Sequence, residues 1–340
     1  MKDPGPENKN LSSHPLLNVR NLRTHFLLPE GVVKAVDNVS FQVEEAEIMG
    51  LVGESGCGKS VTALSILGLI QSPPGRIVSG EILFQGNDLR KMAPDQLRRI
   101  RGDRISMIFQ EPMTSLNPVY SIGHQIIEVY TEHHGLSRKE ARERAKEMLE
   151  KVQIPSPAKR IDEYPHQLSG GMRQRAMIAM ALACKPAVIL ADEPTTALDV
   201  TIQAQILELM VELQQSTGTS IILITHNLGA VAEYARHVVV MYSGKIVEEA
   251  PVIPLFESPL HPYTTGLLNS IPQLGCKSAG GKKRLEEIPG MVPSLDDLPG
   301  GCYFHPRCLR GREICRKEEP ELLEIHPGHQ VACWAVREGW

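Results

Sequence analysis

No stretch of this 340-residue chain is apolar for the roughly 20 residues that a membrane-spanning helix needs. Its longest apolar runs, such as Ala187–Ala191 and Ile221–Ile224, are strand-length. The N-terminal MKDPGPENKNLSSHP lacks the apolar core of a secretory signal and reads as a polar, disordered lead over residues 1–15. The expected compartment is therefore the cytosol, with the seven cysteines reduced. A surplus of positive charge is also missing. Lys plus Arg number 36 against 40 Asp plus Glu, for a net charge of −4, which disfavours a bulk nucleic-acid binder and leaves only a local basic patch open. No internal repeat is evident. The 42% hydrophobic and 22% charged content excludes a wholly disordered or collagen-like chain. The length suits one large domain with an appendage, or two domains.

What is present is an alternation of strand and helix patterns. Leu17–Leu22 and Val36–Val43 alternate as strands of an antiparallel sheet. Glu47–Gly53 is an apolar run ending in glycine, as in a buried strand, and a helical pattern follows over Val61–Ile70. Residues 138–152 predict an amphipathic helix, with Ala141, Ala145, Met148, Leu149 and Val152 on one face and charges on the other. Val188–Ala191 and Ile221–Thr225 read as two more buried strands flanked by helices. The expected class is α/β, with a parallel sheet between covering helices. Near Ser258 proline becomes frequent, and four cysteines follow residue 300. Residues 259–340 thus read as a small, loop-rich appendage.

Gly53-Glu54-Ser55-Gly56-Cys57-Gly58-Lys59-Ser60 fits G-x-x-x-x-G-K-[ST] between a strand and a helix. Glycines let successive backbone N–H groups face one anion, and the helix N-terminus adds positive potential. Lys59 is placed to reach outer phosphates and Ser60 to ligate Mg²⁺. The strand Val188–Ala191 ends in Asp192-Glu193. Asp192 there can hold Mg²⁺ through water, and Glu193 can polarise an attacking water. Alone, two acids at a strand end are as often a solvated terminus. They become specific only beside a phosphate loop. Three further segments belong with them. Leu168-Ser169-Gly170-Gly171-Met172 precedes a helical stretch, Arg173–Ala183, and can present N–H groups and a hydroxyl to phosphate. Gln110 ends a strand-like run, and His226 ends another.

In this order the motifs resemble the ATPase subunits of ABC transporters over residues 16–260: Walker A 53–60, Q-loop Gln110, signature 168–172, Walker B 188–193, D-loop Ala197-Leu198-Asp199 and switch His226. The resemblance implies a RecA-like core with an antiparallel β subdomain and a helical subdomain over about 111–182. It implies ATP and Mg²⁺ as ligands, with Gly53–Ser60, Val61, Gln110 and Asp192 around the nucleotide. Ser60, Gln110 and Asp192 would hold Mg²⁺, Glu193 would be the general base, and His226 would sense the γ-phosphate. It further implies two subunits closing head to tail, with Ser169, Gly170 and Gly171 of one facing Walker A of the other. An aromatic residue early in such chains stacks on adenine; Phe26 is the candidate, and a strand-packing Phe26 is the competing reading.

Finer segments resemble the dipeptide and oligopeptide importers: 110–118 (QEPMTSLNP), 164–168 (YPHQL), 261–264 (HPYT) and 304–308 (FHPRC). This implies a subunit that powers peptide import at the cytoplasmic face of the cell membrane. Its partners would be a second, homologous ATPase subunit, two permease subunits and a solute-binding protein, with no nucleic acid. Nickel or glutathione is the alternative cargo. A soluble nucleic-acid-associated ABC ATPase is the alternative class, disfavoured because the chain has neither a long coiled-coil insertion nor a second ATPase half.

Cys302, Cys308, Cys315 and Cys333 suit a metal site that orders a loop-rich segment. Their spacing lacks the paired knuckles of zinc ribbons and departs from common ferredoxin runs. The subfamily resemblance implies a [4Fe–4S] cluster. Four-thiolate zinc and unligated or paired thiols remain open. Cys57, Cys184 and Cys276 are assigned no metal role, and His305, His326 and His329 read as surface histidines.

Overall fold

The computed structural model describes residues 14–340 apart from Ala197 and residues 271–287. Cys276, Ala197 of the D-loop and most of the N-terminal lead therefore lie outside the described residues.

Two sheets organise the chain. In the first, β1 (Leu17–Leu28) and β2 (Gly31–Val43) form a long antiparallel hairpin, and β4 (Gly75–Phe84) and β5 (Asn87–Asp88) complete the order β2-β1-β4-β5. Both hairpin strands outrun the expected Leu17–Leu22 and Val36–Val43. Their shared tip is solvated, with Leu27 and Val32 exposed, so no buried alternation marks it. The register between β1 and β2 slips between Val19 and Leu22, where Asn21 takes φ 47°. The bulge lets Leu17, Val19 and Leu22 all face inward although their spacing changes from two to three.

The second sheet has the order β11-β12-β10-β9-β3-β8-β7-β6. Its members are β3 (Ile48–Val52), β6 (Ile105–Ile108), β7 (Val188–Asp192), β8 (Ser220–Thr225), β9 (His237–Tyr242), β10 (Lys245–Pro251), β11 (Leu323–His326) and β12 (His329–Val331). The five strands from β9 to β6 are parallel. Every residue of β3, β7 and β8 is buried, and alternation divides them between two cores. Val188 and Leu190 pack with the antiparallel sheet, whereas Ile189 and Ala191 pack with the helices on the other face.

The helices that matter for the site are α1 (Lys59–Ile66), α2 (Ile122–His134), α3 (Arg138–Lys151), α4 (Gly170–Leu182), α5 (Val200–Thr217), α6 (Leu228–Tyr234) and α7 (Pro262–Asn269). In α3 a capping box closes the N-terminus: Ser137 Oγ accepts from the Glu140 N–H at 3.3 Å, and Glu140 Oε2 accepts from the Ser137 N–H at 3.1 Å. All five residues expected on its apolar face are buried. The helix expected over Val61–Ile70 is shifted: α1 starts at Lys59 and ends at Ile66, with Gly68 left-handed beyond it. The helix expected from Arg173 starts at Gly170, because Ser169 Oγ caps it by accepting from the Met172 N–H at 3.3 Å.

The segment after Ser258 is joined to the core rather than hung from it. β12 pairs with β10 (Glu248↔Val331), so β11 and β12 extend the main sheet on its antiparallel edge. This also corrects the surface reading of His329. It is 3% exposed, with Nε2 2.7 Å from Oε1 of the buried Glu248, which in turn accepts the Leu260 and His261 N–H groups. His326 is exposed and His305 half-buried.

Glu249, next along β10, is also buried, with His237 Nε2 3.7 Å from its Oε1. Burial and the Glu47 carboxylate push its carboxyl from 4.5 up to about 7. A folded-state value above the unfolded one favours the protonated form. Its contribution is therefore full below pH 4.5 and lost as pH rises towards 7. Glu249→Gln is expected to raise stability by about 2–3 kcal/mol at pH 8 and by far less at pH 5. Urea unfolding at the two pH values checks this.

Candidate functional site: a phosphate loop facing an acidic strand end

β3 leads directly into residues 53–58, and α1 begins at Lys59. Two glycines make the curl possible. Gly58 sits at φ +103° against the Ala35 carbonyl, and Gly53 lies against the Met241 carbonyl, so a Cβ at either would strike backbone. Lys59 is only 5% exposed. Its Nζ donates to the carbonyls of Gly53 at 2.8 Å and Glu54 at 3.0 Å, which holds the ammonium over the mouth of the loop. Burial pushes the Cys57 thiol up, so it stays a neutral packing residue.

Across 132 residues of sequence, Ser60 Oγ donates to Asp192 Oδ1 at 3.0 Å. Burial pushes the Asp192 carboxyl up and the Glu193 charge adds to this, against the hydrogen bond from Ser60. The two oxygens form a hard donor pair of the kind a Mg²⁺ ion takes.

Glu193 follows at φ 45°, an uncommon conformation for a residue with a side chain, held by its N–H donating to the Ile224 carbonyl at 2.8 Å. The carboxylate is gripped on both oxygens. Oε2 accepts from Gln110 Nε2 at 3.0 Å and Thr196 Oγ1 at 2.8 Å, and Oε1 lies 3.3 Å from His226 Nδ1. Burial works to raise this carboxyl. The hydrogen bonds from Thr196 and His226, with the His226 and Lys59 charges, outweigh it and hold it below the usual carboxylate range. The structure thus gathers Gln110, Asp192, Glu193 and His226 beside the loop from the ends of β6, β7 and β8. Thr196 belongs with them and was missed. A lone threonine after Asp-Glu-Pro-Thr carries no periodic signal, and only its bond to Glu193 marks it.

Two expected participants stand apart. Ser169, Gly170 and Gly171 form the first turn of α4, with Leu198 and Ile202 as neighbours. Among the described residues no hydrogen bond joins them to residues 53–60. Phe26 is half-buried in β1 with its ring edge near Gly75. Ala35 of β2 lies against the loop at Gly58. A cavity of about 890 Å³ lies elsewhere, between the hairpin and the C-terminal segment. In it Lys245 bridges Asp37 at 3.1 Å and Glu319 at 2.6 Å.

The four C-terminal thiols lie near enough to feel one another's charge. Burial pushes Cys302 up to about 12, and the neighbouring Cys315, Cys333 and Cys308 add to the shift. Among the described residues, the group of three or more ligating atoms within 4.8 Å of one another is Asp103, His134 and Cys184, and it includes none of these four. His134 Nε2 lies 3.5 Å from Asp103, and Cys184 is a buried thiol pushed up to about 12 by desolvation and the Asp103 charge. The geometry reads as a polar His–Asp contact beside a packed cysteine.

Comparison with known proteins adds the following. Residues 36–196 match the "ABC transporter" family model, and residues 247–315 match "Oligopeptide/dipeptide transporter, C-terminal region". A probable peptide ABC transporter ATP-binding protein of Sinorhizobium fredii is 54% identical, over 95% of this chain and 96% of its own. The oligopeptide transport ATP-binding protein AppD of Bacillus subtilis is 52% identical over 95% and 97%. The dipeptide transport ATP-binding protein DppD of Escherichia coli is 49% identical over 94% and 96%. Among solved structures, a dimeric post-hydrolysis ATP-binding cassette, MJ0796 with ADP and Pi, superposes with TM-score 0.63 at 27% identity, over 69% of this chain and 98% of that one.

Proposed function

The chain belongs to the ATP-binding subunits of peptide ABC transporters, and we propose that residues 53–60, Gln110, Asp192, Glu193 and His226 carry its ATP hydrolysis. As a member of this family it works with membrane permease subunits and a substrate-binding protein. No helix among the described residues is long and apolar enough to cross a membrane, which accords with peripheral attachment to those partners. We place it at the cytoplasmic face of the cell membrane, with residues 16–258 as the ATPase unit and 259–340 as an importer-specific extension.

The observation that carries the reading is the Glu193 carboxylate, ionised and fixed on both oxygens one residue beyond the Ser60–Asp192 pair. On nucleotide binding, Lys59 exchanges two backbone carbonyls for outer phosphate oxygens. Ser60 and Asp192, with the amide oxygen of Gln110, would hold Mg²⁺, which supplies charge neutralisation to the phosphates. Glu193 takes a proton from a water as its oxygen attacks the γ-phosphorus. The bond to the β,γ-bridging oxygen breaks, and ADP and phosphate leave. Gln110, Thr196 and His226 keep the carboxylate aimed. The exposed Ser169–Gly171 turn supports a head-to-tail pair in which each subunit completes the other's site. The second subunit in this reading is a homologous, different ATPase. Reconstitution with its permeases in vesicles tests the function: ATP-dependent uptake of di- or oligopeptides is expected. Uptake of nickel or glutathione alone would reassign the cargo, and enrichment on nucleic acid instead of membranes would overturn the class.

We further assign Cys302, Cys308, Cys315 and Cys333 to a [4Fe–4S] cluster. Four gathered thiols suit iron–sulfur or zinc equally by donor type. The resemblance of segments 261–264 and 304–308 to the peptide importers favours the cluster. Protein purified anaerobically should be brown, with iron and sulfide, and Cys308→Ser should lose both. Colourless protein with one zinc per chain would reject the cluster.

A further inference from the structure

An acid in a phosphate-binding loop is an electrostatic liability. Like charges close together repel strongly where the surroundings screen less than water. Glu54 is such an acid, and its neighbours come from the far end of the chain. Arg307, with its side chain 4% exposed, forms a two-pronged bond to it: Nη1 to Oε2 at 2.7 Å and Nη2 to Oε1 at 3.1 Å. Arg307 Nε donates to the Pro289 carbonyl at 3.0 Å, and the guanidinium lies 5.8 Å from the Tyr242 ring centroid and 6.0 Å from that of Phe304. The fork is therefore locked before it meets Glu54. Tyr263 of α7, fully buried, accepts the Glu54 N–H on its hydroxyl at 2.8 Å and packs against Tyr242 and Phe304. Glu54 is thus held at its carboxylate by Arg307, at its N–H by Tyr263 and at its carbonyl by Lys59. The loop's second residue is clamped by the C-terminal segment, and the clamp sits in the tight turn between Cys302 and Cys308, where Arg307 N–H donates to the Phe304 carbonyl.

We propose that the C-terminal segment completes the nucleotide site, with Arg307 a positioning residue that cancels the Glu54 charge and fixes the phosphate loop for ATP. The inference rests on residues 53–60 binding nucleotide, as argued above. It explains how an acid is tolerated one residue from Gly53. It also joins the thiol-bearing turn mechanically to the loop.

A double-mutant cycle on ATP affinity tests it in the full chain. Arg307→Ala leaves Glu54 uncompensated and is expected to weaken ATP binding about 10- to 100-fold. In a Glu54→Gln background, whatever affinity that change itself sets, adding Arg307→Ala should cost less than about threefold more, because the repulsive charge is gone. Arg307→Lys keeps the charge, loses the fork and should fall between. It serves also if Arg307→Ala folds poorly. An equal loss from Arg307→Ala in both backgrounds, or no loss in either, would overturn the inference. Lys59→Ala run alongside separates the premises: if it leaves binding intact, the nucleotide reading fails rather than the Arg307 one.

Discussion

Glu193→Gln is expected to lower the ATPase turnover by about 10²- to 10⁴-fold, the usual worth of a positioned general base, while leaving ATP binding intact. The substitution is nearly isosteric. The amide can still accept from Thr196 and Gln110 through its oxygen, so the geometry at 2.8 and 3.0 Å has a means to survive. What disappears is the capacity to take a proton. ATP-bound subunits should then accumulate as a closed pair, which size-exclusion chromatography with ATP and Mg²⁺ would show. Unchanged turnover would remove Glu193 from the mechanism. The pH profile gives a second reading. Glu193 is held below its ordinary 4.5, so it is ionised above that range and should set no limb near neutrality. A fall in rate as pH drops from 7 to 6 would have to come from another group.

Lys59→Ala should weaken nucleotide binding about 100-fold or more. One charge-assisted hydrogen bond to a phosphate oxygen is worth about 1.5–3 kcal/mol, and the ammonium reaches more than one. Burial amplifies this, since a 5% exposed ammonium at the loop mouth works in a medium less screening than water. Titration with a fluorescent ATP analogue measures it. The variant also strands two carbonyls that Nζ now satisfies, those of Gly53 and Glu54, so a small loss of thermal stability should accompany the binding defect. A large loss of stability with affinity preserved would contradict the assigned role.

The chemistry of this chain was unusually open to reading along the sequence, and the reason differs by motif. A phosphate cradle is built from successive backbone N–H groups, so its glycines, Lys59 and Ser60 must be neighbours in sequence. The Asp192-Glu193 pair must end a buried strand, and buried parallel strands announce themselves as short apolar runs. The amphipathic helix around Ala141–Val152 was visible because its period is local. Helix starts were read less well: α1 and α4 begin two and three residues early, because Gly58 and Ser169 set those ends by backbone conformation and capping, not by apolar pattern.

By itself, then, the sequence determined the family, the phosphate loop, the acidic strand end and the existence of a four-thiol segment, all features that contiguous residues encode. Only the tertiary structure decided that Ser60 meets Asp192, that Thr196, Gln110 and His226 converge on one carboxylate, that His329 is buried on Glu248, and that Arg307 reaches back 253 residues to Glu54. Such pairs leave no spacing to detect. Their partners lie on strands made neighbours by sheet order, and a side-chain hydrogen bond depends on distance in space, which sequence separation does not set.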